Sequence, residues 1–345
     1  MLVALVTGSA CVTPAPAGTP VPSNTVVRPI VIAHRGASGH RPEHTLAAYS
    51  LAIDMGADFI EPDLVSTKDS VLVARHEHEI GGTTDVAVKF PDRRTTRTID
   101  GRQVTGWFTE DFTLAELRTL RAVERLPFRS HAYDGREPIP TFEEVLDLVE
   151  RRSRETGRRI GVYPETKHPS HFRSISRPLE DPLLAALARR GWTTSDAPVF
   201  IQSFEVTNLR AMRPRTGVRL VQLVAATGGP TDARVAADVP ATYAEMVTPA
   251  GLARIARYAN AVGVEKSLVL PIDGAGRRST PTSLVADAHR AGLALHVWTL
   301  RSDEAFLPKA YAGDAAAEWR AFAALGVDGI FGDFPDVGVK ALGRR

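Results

Sequence analysis

Short apolar runs recur along the chain at 30–33, 59–65, 159–165, 199–204, 219–224, 261–265, 293–300 and 328–332, each bounded by polar or glycine-rich residues. Between them the apolar positions take a helical spacing, as at 183–190, 283–291 and 315–325, and several of these patterns stop at a glycine suited to a helix C-cap. Eight strand-like runs alternating with helical patterns predict an α/β chain, a (β/α)8 TIM barrel, whose chemistry should sit where the strands end.

One polar break is too short for a crossover. Ser66-Thr67-Lys68-Asp69-Ser70 separates the second run from Val71 to Arg75, whereas parallel strands need a connection of about a dozen residues. The two should therefore form an antiparallel hairpin added to the barrel. A turn centred on Lys68 and Asp69 would set Glu61 opposite His76, and the period of two would put Asp63 on the face of Glu61. An arbitrary E-x-D is more often a half-buried strand pairing with surface lysines; the hairpin and the flanking His34-Arg35 favour function here.

From about 81 to 140 the alternation breaks down into Thr, Arg, Asp and Gly, with one helical pattern at 114–121. Thr113 with Glu116, and Thr141 with Glu144, have capping-box spacing, so the stretch reads as an ordered insertion, about 66–140 in all, after strand 2. It should lie over the mouth of the barrel. Trp107, Phe108 and Phe112 would either wall a pocket there or make a small local core.

A length of 345 residues suits a single barrel over 26–345, since such barrels run from about 200 to 400 residues. With 43% hydrophobic and 24% charged residues the chain is globular, and a net charge of +2 offers no field for nucleic acid or an anionic membrane. The single cysteine, Cys11, excludes an internal disulfide and a zinc site built on several thiolates. Residues 1–25 read as a leader or a disordered N-terminus: an apolar start without basic residues, then Pro/Thr/Ala-rich sequence containing Ala15-Pro16-Ala17. Export is expected, to the medium, the periplasm or the cell surface. Gly8-Ser9-Ala10-Cys11 offers Cys11 as a lipid-anchor position, although Gly8 fits such a site poorly. No other run approaches a membrane span.

Chemistry-bearing residues gather at predicted strand ends: His34-Arg35, Glu61 and Asp63, Glu165 and Lys167, Gln202-Ser203, Trp298 and Asp333. Three carboxylates without thiolates select a hard divalent cation, Mg2+ or Ca2+. Beside Arg35 and Lys167 such an ion makes an anion site. A phosphate diester fits it, with the cation and guanidinium on its non-bridging oxygens and two histidines moving protons at neutral pH.

The segment HRGASGHRPEHTLAAYSLAIDMGADFIEPDLVSTKDSVLVARHE resembles the signature of glycerophosphodiester phosphodiesterases. YPETK at 163–167, QSF at 202–204, VWTLRSD at 297–303 and GVDGIFGDFPD at 326–336 extend the likeness over about 28–337. PEHT, TTDVA and GWFTEDFTLAEL are similar to the exported bacterial branch. The resemblance implies a metal-dependent TIM barrel that cleaves small glycerophosphodiesters to sn-glycerol 3-phosphate and an alcohol. It implies His34 and His76 as acid and base in unassigned order, Arg35 on the phosphate, Glu61, Asp63 and Glu165 as metal ligands, and Lys167 on the phosphate side. It further implies attack by the substrate's own glycerol hydroxyl, through a cyclic phosphate. The chain departs from the pattern at Pro62, at Glu77 where Asp is common, and at Gly332-Asp333 where Thr-Asp is common.

Glu43 either orients a substrate hydroxyl or His34, or merely starts a helix; Trp298 and Gln202 are divided between packing and ligand contact. His40, His44, His78, His131, His168, His171, His289 and His296 read as structural or solvated, with His44 and His168 having the best functional claims. Two other readings stay open. A phospholipase-D-like enzyme on intact lipids would want an apolar rim, where the insertion is polar; a non-catalytic metal- or phosphate-binding surface protein would have lost a histidine or acidic ligand, and none is missing.

Overall fold

The computed structural model describes residues 28–234 and 236–344, so the leader with Ala15-Pro16-Ala17 and Cys11 lies outside the described residues. In chain order the strands are β1 (Ile30–His34), β2 (Phe59–Glu61), β3 (Asp63–Ser66), β4 (Leu72–Ala74), β5 (Thr95–Ile99), β6 (Arg102–Gly106), β7 (Gly161–Val162), β8 (Glu165–Thr166), β9 (Phe200–Ser203), β10 (Arg219–Val224), β11 (Ala261–Glu265), β12 (Ala294–Leu300) and β13 (Gly329–Gly332). Parallel pairing runs from β1 to β2, from β2 to β7 and from β3 to β8, then through β9, β10, β11, β12 and β13 in sequence order and back to β1. The ring is TIM-barrel-like. Two of its staves are each split by a proline: Pro62 divides β2 from β3, and Pro164 divides β7 from β8. A proline donates nothing to a ladder, yet both carbonyls still accept, from Glu165 N and Gln202 N at 2.9 Å each, so the staves stay continuous.

The β3–β4 pair is antiparallel, but its register is one residue from the expected one. Leu64 faces Ala74, Val65 faces Val73 and Ser66 faces Leu72, and Arg75 N donates to Asp63 O at 3.0 Å. Glu61 is therefore not opposite His76. The turn is closed by Thr67 N on Val71 O at 3.0 Å, with Ser70 left-handed at φ 62°, and it takes up one more residue than a turn centred on Lys68 and Asp69. His76 reaches the mouth because the chain leaves the sheet after Ala74.

Inside the ring, Ile32, Tyr163, Phe200, Val221, Ala261 and Phe331 form a buried apolar plug. Tyr163 stacks on Phe200 with ring centroids 4.9 Å apart, its hydroxyl lies 2.7 Å from His296 Nδ1, and the Arg219 guanidinium covers Phe200 at 3.8 Å. A larger apolar layer joins the outer faces of the strands to helices such as Phe142–Thr156, whose Phe142, Val145, Leu146 and Val149 are buried. Each such side chain contributes about 1.5–3 kcal/mol by leaving water. Helices Glu180–Arg189, Leu284–Arg290 and Ala315–Ala324 are followed by Gly191, Gly292 and Gly326 at φ 71°, 78° and 80°, the left-handed stop that their sequence pattern predicts.

Both capping boxes form, Thr113 with Glu116 and Thr141 with Glu144. The helix after Thr113 is only Leu114–Leu117, shorter than the pattern at 114–121 suggested, and the insertion also holds the antiparallel pair β5–β6. Phe108 and Phe112 are fully buried, and Trp107 Nε1 donates to Phe90 O at 2.7 Å, so these aromatics make a local core and leave the pocket wall to other residues. No helix among the described residues is long and apolar enough to cross a membrane.

Candidate active site

The strand ends open into a cavity of about 700 Å3, which His34, Arg35, Glu43, Glu61, His76, Glu165, Lys167, Gln202 and Trp298 all line. In-register pairing of β1 with β2 sets His34 beside Glu61, and β3 with β8 sets Asp63 beside Glu165. Directly after β1 the chain turns through Arg35 at φ 60° and Gly36 at φ 88°. A Cβ on Gly36 would stand 2.7 Å from the backbone carbon of Ala48, so the close approach to helix Leu46–Asp54 requires glycine. The left-handed Arg35 is held there by its own N–H, which donates to Glu61 Oε2 at 2.8 Å.

Glu61, Asp63 and Glu165 are buried and present carboxylate oxygens within 4.8 Å of one another. Gln202 Nε2 donates to Glu61 Oε1 at 3.0 Å, and Lys167 Nζ lies 3.0 Å from Glu165 Oε1. Asp63 Oδ2 accepts from His44 Nε2 at 2.9 Å, while His44 Nδ1 takes the Tyr49 hydroxyl at 2.7 Å. Asp63 Oδ1 is buried with no hydrogen-bond partner. Burial, then repulsion from Asp63 and Glu165, pushes the Glu61 carboxyl well above its ordinary range; burial, against the pull of Lys167, pushes Glu165 up to about 8. Burial opposes ionisation of Asp63 as well, but Lys167, His44 and His76 outweigh it and hold that group charged. An orphaned oxygen among crowded carboxylates that keep protons is the donor set a hard divalent cation fits, since the ion replaces those protons with compensating charge.

Each histidine is oriented by a carboxylate. His34 Nδ1 is 2.6 Å from Asp333 Oδ1, and His76 Nδ1 is 2.9 Å from Glu77 Oε1. Burial and the Arg35 charge lower His34 to about 4; burial, Arg35 and Lys167 lower His76 to about 3. Burial opposes the charge of Asp333, but His34, Arg301 and Arg129 together hold it well below the usual carboxylate range. An ionised carboxylate only accepts, so each Nδ1 carries the proton and each Nε2 keeps a lone pair. The Nε2 of His76 lies 3.4 Å from Lys167 Nζ.

The helix that follows Glu43 is capped by Thr45, whose side chain accepts from Ala48 N. Glu43 Oε2 accepts from Arg35 at 2.9 Å and Arg125 at 2.9 Å, so it holds two guanidinium groups of the cavity wall. Trp298 donates through Nε1 to Gly263 O at 3.0 Å and keeps its half-buried ring edge-on to Phe204. Sequence reasoning left Asp333 without a role and missed Arg129, which bonds Asp333 and Asp303 at 2.6 Å each. Arg125 and Arg301, which line the cavity, were also missed. The Asp closing the last apolar run was the available signal for the first; the arginines of the insertion carried none. Of the remaining histidines, His44 is joined to Asp63, and His168 lies 2.8 Å from Glu77 and 2.8 Å from Asp100.

Known proteins resemble this chain over most of its length. Residues 34–337 match the model of the glycerophosphoryl diester phosphodiesterase family. The chain is 37% identical to a glycerophosphodiester phosphodiesterase of Arabidopsis thaliana, covering 89% of this chain and 84% of that protein. It is 32% identical to the glycerophosphodiester phosphodiesterase of Haemophilus influenzae, covering 91% and 89%. The fold is shared with an Oleispira antarctica phosphodiesterase solved in complex with the product sn-glycerol-3-phosphate, at a TM-score of 0.61 and 20% identity over 92% of this chain and 97% of the other. The chain belongs to the glycerophosphoryl diester phosphodiesterase family.

Proposed function

We propose that this phosphodiesterase acts on water-soluble glycerophosphodiesters, the deacylated headgroups of phospholipids, in a divalent-cation-dependent reaction that releases sn-glycerol 3-phosphate and an alcohol. The observation that carries the reading is the pair of carboxylate-oriented imidazoles, His34–Asp333 and His76–Glu77, on one cavity with the nest of Glu61, Asp63 and Glu165.

Glu61, Asp63 and Glu165 would hold Ca2+ or Mg2+, which supplies Lewis-acid stabilisation of charge on the phosphate oxygens. Arg35, kept charged by Glu43 and Asp63, and Lys167, kept charged by Glu165 and Asp63, bind the remaining phosphate charge. Both imidazoles rest neutral, so either Nε2 can take the proton of the attacking glycerol hydroxyl. The bound phosphate brings a negative charge beside both rings and raises the affinity of the second for the proton it gives to the departing alcohol. Opening of the resulting cyclic phosphate by water uses the same two groups in reversed roles. Gln202 fixes Glu61, and Trp298 and Phe204 wall the alcohol side of the cavity.

The decisive assay couples detection of glycerol 3-phosphate to turnover of glycerophosphocholine and glycerophosphoethanolamine after EDTA, with Ca2+ or Mg2+ returned, for the parent and His34→Ala. Cation-restored release in the parent and a loss of about 10²–10⁴-fold in the variant are expected. Equal turnover by both would sink the assignment. An arm with intact phosphatidylcholine tests the phospholipase-D-like alternative, which predicts release of choline.

The apolar start and the Pro/Ala-rich stretch to residue 25 support export, and Cys11 is the proposed lipid-anchor position. Cell fractionation with mass analysis of the mature N-terminus tests both; a full-length chain in the cytoplasm would overturn them.

A further inference from the structure

Behind the wall that carries Glu77, two imidazoles converge on one buried carboxylate. His78 follows the β4 exit, Glu110 lies in the 3-10 turn Thr109–Asp111, and His171 belongs to helix Pro169–Ser174. His78 Nδ1 is 3.1 Å from Glu110 Oε1 and 3.2 Å from Oε2, and His171 Nε2 is 2.9 Å from Oε1. We propose that His78, Glu110 and His171 form a second metal site, for a borderline ion of the zinc class, separate from the all-carboxylate nest of the active site.

Donor chemistry sets the class of ion. Two imidazoles and one carboxylate suit zinc and its neighbours, whereas the three carboxylates in the mouth suit Ca2+ or Mg2+. Donors held about 2.0–2.1 Å from a tetrahedral ion stand about 3.3 Å from one another. The observed separations of 2.9–3.2 Å need open by only a few tenths of an ångström. Both histidines point a ring nitrogen at the same oxygen, and the rings pack with centroids 4.6 Å apart. A carboxylate oxygen accepts, so without an ion each facing ring nitrogen donates its N–H to Glu110, and an ion would take the place of those two protons.

The surroundings supply an outer shell. Thr109 Oγ1 donates to Glu110 Oε2 at 3.5 Å, and Arg97, whose charge is answered by Asp111, stands 3.5 Å from Oε1. His78 and Glu110 are buried, and His171 is only partly so, which leaves an approach and a fourth position on its side. The three donors come from the hairpin exit, the insertion and the helix after β8, segments that the single cysteine cannot cross-link. An ion here would staple the insertion to the barrel and fix the strand exit two residues beyond His76. The site goes beyond the proposed reaction and does not depend on it.

The test uses the full chain with the catalytic nest disabled by Asp63→Asn and Co2+ as the probe. One cobalt per chain with the intense visible absorption of a four-coordinate ion, displaced by Zn2+, is expected. His171→Gln and Glu110→Gln, each placed in the Asp63→Asn background, should lose that absorption and weaken cobalt binding beyond the about 10–100-fold that an outer-shell partner costs. Because an altered cluster could unfold the insertion, circular dichroism and the zinc-dependent rise of the parent's Tm are read alongside. Absence of the absorption in Asp63→Asn, or its survival in both double variants, would overturn the site.

Discussion

Asp333 serves His34 as Glu77 serves His76: a carboxylate on Nδ1 fixes the tautomer that leaves Nε2 facing the cavity. Asp333→Asn keeps the size of the side chain but can turn an amide N–H toward Nδ1 and favour the wrong tautomer. We expect kcat to fall by about 10²-fold or more, with KM little changed, measured by glycerol 3-phosphate release at saturating substrate. The sequence placed Asp333 at a strand end, but its partner lies 299 positions away, and only closure of the ring brings them together. Arg129 was illegible for the same reason: one arginine among many in a polar insertion, it bonds Asp333 from 204 positions away. A second residue carries a pH signature. Burial pushes Glu205 from an ordinary 4.5 up to about 7, despite the bonds from Ser170. Between those values the folded chain keeps a proton that the unfolded chain has released, so this group's contribution makes stability fall as pH rises through the window. Denaturant midpoints at about pH 5 and about pH 8 should therefore differ less in Glu205→Gln than in the parent; an unchanged difference would contradict this assignment.

At the scale of elements, the strands of the ring were legible because buried parallel strands read as continuous apolar runs. The pair β5–β6 was not, since its residues, TTRTI and RQVTG, are mostly exposed and give no apolar alternation. The hairpin was legible as a hairpin, but its register depended on whether Ser70 adopts a left-handed turn, a choice no apolar pattern encodes. Helix starts were better specified: Thr141 accepts from Glu144 N, and Glu144 reaches back to Thr141 N at 2.8 Å. Thr141→Ala should cost about 1 kcal/mol, read as a lower urea midpoint at unchanged m-value. No change would mean that packing of Phe142 and Val145 alone fixes that helix end.

Across the whole molecule, the Asp63 carboxylate is joined through His44 to Tyr49, a fully buried residue of helix Leu46–Asp54 in the outer layer. The seat proposed for the cation is thereby tied to packing well behind the cavity surface. Tyr49→Phe would leave the pocket lining intact but remove the donor that keeps Nδ1 of His44 an acceptor. The expected result is about 10-fold weaker Ca2+ or Mg2+ activation with kcat recovered at saturating ion, measured by cation titration of the EDTA-treated enzyme. Preserved affinity would show that His44 holds its tautomer unaided. If the tether acts as described, ion preference is heritable through helix-layer substitutions that never meet substrate, so variation in a hydrophobic shell could retune the enzyme to a different ionic habitat while its catalytic groups stay the same.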